Sequence, residues 1–171
     1  LTPLGVGPGQ PFPYISPLSL SLGVLVHNPM TNEERFARLK VPEGLPRFLR
    51  ISATDPLVPI ERVIAHFLPR LFPGMSVEER GVFRVTRDAD FELSDEADDL
   101  LEALETELRL RPFGDVVRLE VSESMSESML TELKDGLKIS DDQVYPVRGL
   151  LDMSELLEIA DLERPDLKFA P

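Results

Sequence analysis

The sequence predicts an α+β domain in which one mixed β-sheet with hairpins is flanked by helices. Three patterns support this fold class. Apolar residues alternate with small or polar ones over residues 18–26 and 116–121, which is typical of strands. Apolar residues recur at helical spacing over residues 60–71 and 125–137. Because the two kinds of element are mixed along the chain, with hairpins as well as crossovers, one sheet covered by helices is favoured.

The first elements form a predicted hairpin. Residues 1–17 are rich in proline and glycine, so we expect a loop that leads into a domain spanning residues 18–171. The alternation over Leu18–Val26 predicts a half-buried strand with its leucines and valines on one face. Turn residues follow, and Arg35–Val41 is the predicted returning strand.

The middle of the chain adds a third strand, a helix and a fourth strand. Arg47–Ile51 is predicted to be extended. Helical spacing runs from Ile60 to Leu71, but Pro69 interrupts it, and a proline there should kink or end the helix. Val82–Arg87 is predicted to be a strand with Phe83 and Val85 facing inward.

The remaining elements are predicted from caps and alternation. They are a helix from an N-cap at Ser94 to Arg111, a strand over Val116–Val121, a helix within Met125–Leu137, a capping box at Ser140 and Gln143, a strand over Val144–Val147, and a helix opened by a box at Asp152 and Glu155.

Composition excludes several classes of protein. The chain of 171 residues fits one medium domain, and it holds no cysteine for a disulfide or a thiolate site. No apolar stretch reaches the roughly 20 residues of a membrane span. The net charge of −13 argues against nucleic acid as a partner for the whole surface. The chain starts without methionine or a signal peptide pattern, so we expect a part of a longer protein.

One segment departs from the acidic average. Its cations are Arg35, Arg38, Lys40, Arg47 and Arg50, against the single acid Glu43. One interpretation is a solvated strand face. The other is a face turned toward phosphate or toward an acidic neighbouring surface, so these five residues are the candidate contact residues.

Sequence motifs for catalysis and metal binding are lacking. The two histidines, His27 and His66, have no partner at metal-ligand spacing, although His66 lies between two arginines on a polar helix face. The acidic run Asp88–Glu92 lacks the glycine and distal glutamate of a calcium loop. The glycines of residues 5–9 are not followed by a P-loop lysine. We therefore predict no catalytic residue and no metal ligand in this chain.

Seven runs, in order, resemble the family of polyphosphate kinases that make long chains from ATP. They are residues 1–4 with 11–16 and 18–20, residues 34–38 with 40–42 and 45–48, and then residues 71–75, 83–90, 99–104, 117–121 and 162–168. One such run is weak evidence, but seven in the same order are specific. The chain therefore resembles the middle, or head, domain of that family over nearly its whole length.

The resemblance implies a role as well as a fold. The head domain of this family resembles a small phosphohistidine phosphatase in fold and takes part in dimer contacts. The parent enzyme uses ATP and magnesium and passes the terminal phosphate through a phosphohistidine in another domain to polyphosphate. The resemblance implies a cytoplasmic enzyme, with membrane association as an open alternative, that is a homo-oligomer (dimer or tetramer). The resemblance implies no cofactor and no catalytic residue in this chain. It implies that the partners of this domain are the other domains of the same polypeptide.

Two alternatives stay open. The chain could be a stand-alone anion-binding or protein-binding module that uses the basic hairpin Arg35–Arg50. It could also be a phosphohistidine phosphatase in its own right, which would need a positioned histidine and has only His66 to offer. Neither alternative follows from the seven matching runs.

Overall fold

The computed structural model describes residues 1–7, 11–50, 52, 56–88 and 114–169. The strands are β1 Leu4–Gly5, β2 Leu20–Asn28, β3 Glu33–Lys40, β4 Phe48–Leu49, β5 Val58–Pro59, β6 Ser76–Arg87, β7 Val116–Ser122 and β8 Val144–Val147. The α-helices are α1 Ile60–His66, α2 Leu68–Leu71, α3 Glu127–Leu137 and α4 Leu157–Ala160. Short 3₁₀ turns cover Asp141–Gln143, Met153–Leu156 and Pro165–Leu167.

The main sheet confirms the predicted fold class. Six strands lie in the order β1-β3-β2-β6-β7-β8, while β4 and β5 pair separately. Neighbouring strands are antiparallel except for β7 and β8, which run parallel across the connection that contains α3. The predicted hairpin is β2 with β3, paired from Ser21 opposite Lys40 to Asn28 opposite Glu33.

The central strand β2 is buried on both faces, so the prediction of a half-buried strand is wrong. Leu22 and Val24 face a core that also contains α1 and α2. On the opposite face, Ser21 is fully buried as well. The sequence suggested a solvated face because its residues there are small and polar, but those small residues allow the second layer to approach closely.

The face covered by α1 and α2, called the α1 face, carries the first core. Ile60, Ile64 and Leu68 from the helices pack on it and are buried. The predicted interruption at Pro69 is confirmed, because α1 ends at His66 and Pro69 lies in the first turn of α2. A proline tolerates that position, since the first turn of a helix needs no N–H from it.

The opposite face, called the α3 face, is covered by α3. Met129 and Leu133 are fully buried against Phe83 and other strand residues. Gly23 and Gly81 are direct cross-strand neighbours on this face. A Cβ at Gly81 would lie 2.5 Å from Cε of Met125, so a larger residue there would require the Met125 side chain to move.

The Pro/Gly-rich N-terminal segment packs against the domain. β1 pairs with β3 as an edge strand, which suits a region where proline removes donors. Ile15 is fully buried in the core on the α3 face, and the ring of Phe12 stacks on Phe36 at 5.8 Å between centroids. Residues 1–17 therefore contribute both an edge and part of a core.

Two strand predictions need correction. Of the predicted strand Arg47–Ile51, residues 47–50 are described, and within them the strand is Phe48–Leu49, which pairs with β5 outside the main sheet. β6 begins at Ser76 rather than Val82, because cross-strand pairing with β2 carries the strand through charged residues.

The predicted caps after β7 have different outcomes. The box at Ser140 and Gln143 is confirmed. The box at Asp152 is wrong: this residue has φ 58° and makes no capping hydrogen bond, and its carboxylate lies 3.8 Å from the guanidinium of Arg84. The helix predicted from Ser94 to Arg111 lies outside the described residues.

Candidate functional site

Two of the five predicted contact residues are exposed and paired locally. Arg35, near the start of β3, lies 2.9 Å from the carboxylate of Glu33. Lys40, at the end of β3, lies 2.6 Å from the carboxylate of Glu43. Such exposed pairs contribute about 0–1 kcal/mol to stability. Arg50, the third exposed residue of the set, follows β4.

Arg38 is buried on the α3 face of β3. Its Nε donates to Oγ of Ser21 at 3.1 Å, and its Nη2 is buried without a hydrogen-bond partner. Burial lowers the pKa of Arg38, because the charged guanidinium loses its water. Within the described residues, Arg38 forms no ion pair. Its charged group is therefore buried with one hydrogen bond and no carboxylate partner.

Arg47 is also buried, and it ties three parts of the fold together. One guanidinium nitrogen forms an ion pair with Glu61 of α1, which is itself buried. The other terminal nitrogen donates to the carbonyl of Leu151 at 3.1 Å. Arg47 therefore links the segment after β3 to α1 and to the C-terminal segment, which is an architectural role.

The five predicted residues are therefore not brought together on one surface. Arg38 and Arg47 are inside the fold, and Arg35, Lys40 and Arg50 are left at the surface. Whether these exposed cations meet a partner stays a prediction.

A different cluster of cations lines a cleft on the α1 face. The cleft has a volume of about 940 Å³ and lies between α1, the first half of β6 and the segments that follow β7 and β8. We call it the α1–β6 cleft. Its polar side chains include Arg62, His66, Arg80, Ser122 and Ser124.

The secondary structure explains how these side chains converge. Arg62 and His66 are four residues apart, so they share one side of α1. Arg80 comes from β6 just after a β-bulge. Leu25 of β2 pairs with Glu79, but the next residue, Val26, pairs with Val77, so Glu78 is the extra residue of the bulge. Bulges redirect neighbouring side chains.

The two arginines of the α1–β6 cleft have no carboxylate partner. Within the described part of the chain, neither Arg62 nor Arg80 forms an ion pair, although the chain has a net charge of −13. The described acidic residue that lines the cleft, Glu61, is already held by Arg47. The cleft therefore presents positive charge that no described side chain neutralises.

The sequence does not indicate this cluster. Its helical spacing places Arg62 and His66 on a polar helix face, but Arg80 lies in residues 76–81 of β6, which the sequence pattern does not predict as a strand. Without that strand, no pattern in the sequence indicates that Arg80 faces the same helix.

The histidines do not form a catalytic arrangement in the described residues. Nε2 of His27 lies 3.1 Å from Oδ1 of Asn32 in the hairpin turn. The ring of His66 packs edge-on against Phe67 at 4.9 Å between centroids. Neither imidazole contacts a carboxylate within the part of the chain that the structure describes.

The described residues also lack a metal-binding cluster and a helix that could span a membrane. The described residues include no group of three or more His, Asp or Glu side chains placed to hold a metal ion. Among the helices in the described ranges, none combines the length and apolar character needed to cross a membrane.

Comparison with known proteins identifies relatives over the whole chain. The chain is 51% identical over 170 residues to a polyphosphate kinase of Streptomyces coelicolor, covering 99% of this chain and 23% of that protein. It is 48% identical over 179 residues to one of Mycobacterium marinum, covering 98% of this chain and 24% of that protein. For a polyphosphate kinase of Aphanizomenon baltica, 48% identity extends over all of this chain and 48% of that protein.

The fold has a solved counterpart. The crystal structure of polyphosphate kinase from Porphyromonas gingivalis superposes with a TM-score of 0.66 at 23% identity, over 99% of this chain and 24% of that one. This likeness supports the fold. The family model described as polyphosphate kinase middle domain matches residues 1–159. The resemblance seen in the seven sequence runs is thereby confirmed, and the chain belongs to the polyphosphate kinase middle domain family.

Proposed function

We propose that this chain is the non-catalytic head domain of an enzyme that transfers the terminal phosphate of ATP to polyphosphate through a phosphohistidine in another domain. The observation that carries the proposal is the family match over residues 1–159. The chain spans 24% of the length of the relative from M. marinum, so the catalytic parts would lie in other domains. A cytoplasmic location belongs to the same proposal.

The proposed role is to hold the architecture of the active site. A sheet covered on both faces supports this role, because such a sheet is rigid and presents fixed surfaces to its neighbours. The described residues include no group of three or more His, Asp or Glu side chains placed to hold Mg²⁺. ATP and Mg²⁺ would be bound by the other domains.

A role in assembly is the second part of the proposal. A homo-oligomer, dimer or tetramer, would use the exposed cations Arg35, Lys40 and Arg50 against an acidic surface of a partner. Arg35 and Lys40 already form ion pairs with carboxylates of their own chain, which supports a contact with an acidic surface at these positions. The other domains of the same polypeptide would pack on the remaining surface.

A domain exchange tests the proposal. The middle domain of the S. coelicolor polyphosphate kinase would be replaced by this chain, which is 51% identical over 170 residues. We expect the chimera to retain ATP-dependent polyphosphate synthesis and the oligomeric mass of the parent by light scattering. A matched chimera with the buried substitution Arg47→Met should lose both, because the domain no longer holds its shape.

The isolated chain provides the complementary measurement. With γ-labelled ATP it should incorporate no acid-labile phosphate, since the phosphohistidine would lie elsewhere. Labelling of the isolated chain that disappears in His66→Ala would overturn the non-catalytic assignment. Release of phosphate from a phosphohistidine substrate, lost in His66→Ala, would support the phosphatase alternative. A monomeric parent enzyme would remove the assembly role.

A further inference from the structure

We infer that the α1–β6 cleft binds an anion made of linked phosphoryl groups. The cleft is about 940 Å³, which is large enough for several phosphoryl groups. The anion site stands on the geometry of the cleft, and its identification with the polyphosphate chain rests on the proposed function.

The hydrogen-bond donors of the cleft are free to meet a ligand. Within the described residues, the guanidinium groups of Arg62 and Arg80 and the hydroxyl of Ser124 have no hydrogen-bond partner, and Oγ of Ser122 is engaged only as an acceptor, from N–H of Val82 at 3.2 Å. Guanidinium groups bind phosphate oxygens through two parallel hydrogen bonds.

Two arginines from different elements suit a ligand with more than one charged group. Arg62 comes from the helix and Arg80 from a strand of the sheet, and both line the cleft, so separate phosphoryl groups of one ligand can each engage a guanidinium group. His66 adds a ring nitrogen on the helical wall. A linear run of phosphoryl groups presents its charge along such a span.

Two other clefts of the described residues differ from the α1–β6 cleft in the charges that line them. A cleft of about 390 Å³ is lined by Glu43, Asp152 and Glu155, which would repel an anion. A cleft of about 520 Å³ contains Arg87, which already donates to the carbonyls of Ile15 and Gly114, and Lys138, which shares the lining with Asp115. Among these three clefts, the α1–β6 cleft is therefore the one lined by two arginines for which the described residues provide no partner.

A phosphate chain fits the cleft better than a nucleotide does. Its described apolar lining consists of aliphatic and methionine side chains such as Leu22, Val82 and Met75, and the described lining residues include no Phe, Tyr or Trp on which a base could stack. A nucleotide triphosphate shares the phosphoryl chemistry, so the test must separate these two sources.

Calorimetric titration of the 171-residue chain with inorganic tripolyphosphate tests the inference. The titration is made at about 0.15 M salt, where the net charge of the chain is screened beyond roughly 8 Å. The double variant Arg62→Gln with Arg80→Gln should weaken binding by about tenfold or more, since charge-assisted hydrogen bonds are lost. Both arginines are exposed, so the variant should keep its fold, which its thermal melt checks.

The matched control removes the same two charges elsewhere. Arg35→Gln with Lys40→Gln should leave tripolyphosphate binding within about twofold, because the net charge alone does not determine the affinity. Equal weakening by both double variants, or no binding by the unmodified chain, would overturn the inference. ATP binding more than about tenfold tighter than tripolyphosphate would assign the cleft to nucleotide and overturn the phosphate-chain identification.

This experiment fails separately from the domain exchange. Binding of tripolyphosphate with an inactive chimera would contradict the proposed function and leave the anion site in place. An active chimera whose isolated domain binds no tripolyphosphate would contradict only the site.

Discussion

The segment Arg35–Arg50 and the α1–β6 cleft both carry arginines, but their charges have different surroundings. In the hairpin segment, Arg35 and Lys40 lie against Glu33 and Glu43, and Arg47 is buried against Glu61. In the cleft, Arg62 and Arg80 form no ion pair within the described residues.

The comparison shows that the density of cations along a sequence is a poor guide to a binding surface. The segment Arg35–Arg50 has more cations, but two of them, Arg38 and Arg47, are buried inside the fold. The cleft has fewer, contributed by a helix and a strand, and their charge is available to a ligand. Availability depends on burial and on neighbouring carboxylates, which only the three-dimensional structure provides.

The largest effect is expected for Arg47→Met. This change leaves the carboxylate of Glu61 buried without its partner, and breaking a buried pair in this way costs about 3–5 kcal/mol of folding free energy. Chemical denaturation of the isolated chain measures the loss. The hydrogen bond from Arg47 to Leu151 is also removed, so the C-terminal segment should become more susceptible to proteolysis.

A double variant sharpens this result. Arg47→Met combined with Glu61→Leu removes both charges, and replacement of a buried pair by apolar residues is often close to neutral. The double variant should therefore be more stable than Arg47→Met alone. If Arg47→Met lost less than about 1 kcal/mol, the architectural role of the pair would be contradicted.

A much smaller effect is expected for Arg38→Met. The buried guanidinium has one hydrogen bond, to Ser21, and an unpartnered Nη2, and burial lowers its pKa. Methionine keeps the packing of the stem and removes the desolvated charge. The free energy of unfolding should stay within about 1 kcal/mol or increase.

Arg38→Ala is the matched control, because it also removes the packing and should destabilise by roughly 2 kcal/mol or more. A loss of similar size in Arg38→Met would show that the charge itself is stabilising, in contradiction to this account.

Much of the fold was predictable because its local signals are strong. The alternation of apolar residues and the turn residues predict the β2–β3 hairpin. Pro69 predicts the helix interruption, and the spacing of Ser140 and Gln143 predicts the capping box. Each signal depends on neighbours within a few residues, where steric and hydrogen-bonding rules apply directly.

The other parts of the fold and the cleft depend on contacts between residues that are distant in sequence. The first half of β6 contains Glu78, Glu79 and Arg80 and has no strand-like alternation of apolar residues, so pairing with β2, rather than local pattern, makes it a strand. The burial of Arg47 depends on Glu61 and on Leu151, which lies 104 residues away. The α1–β6 cleft could not be predicted from the sequence, because Arg62 and Arg80 line the same cleft only once β6 and α1 are packed together.

The most direct test of the comparison is to map tripolyphosphate onto the chain by amide chemical shifts. The ¹⁵N-labelled chain would be titrated at about 0.15 M salt. This account predicts that the shifts concentrate in residues 62–66, 76–82, 122–124 and 149–150, with little change over residues 33–50. Shifts concentrated in residues 33–50, with the α1–β6 cleft unchanged, would contradict this prediction and indicate that the anion binds the segment Arg35–Arg50.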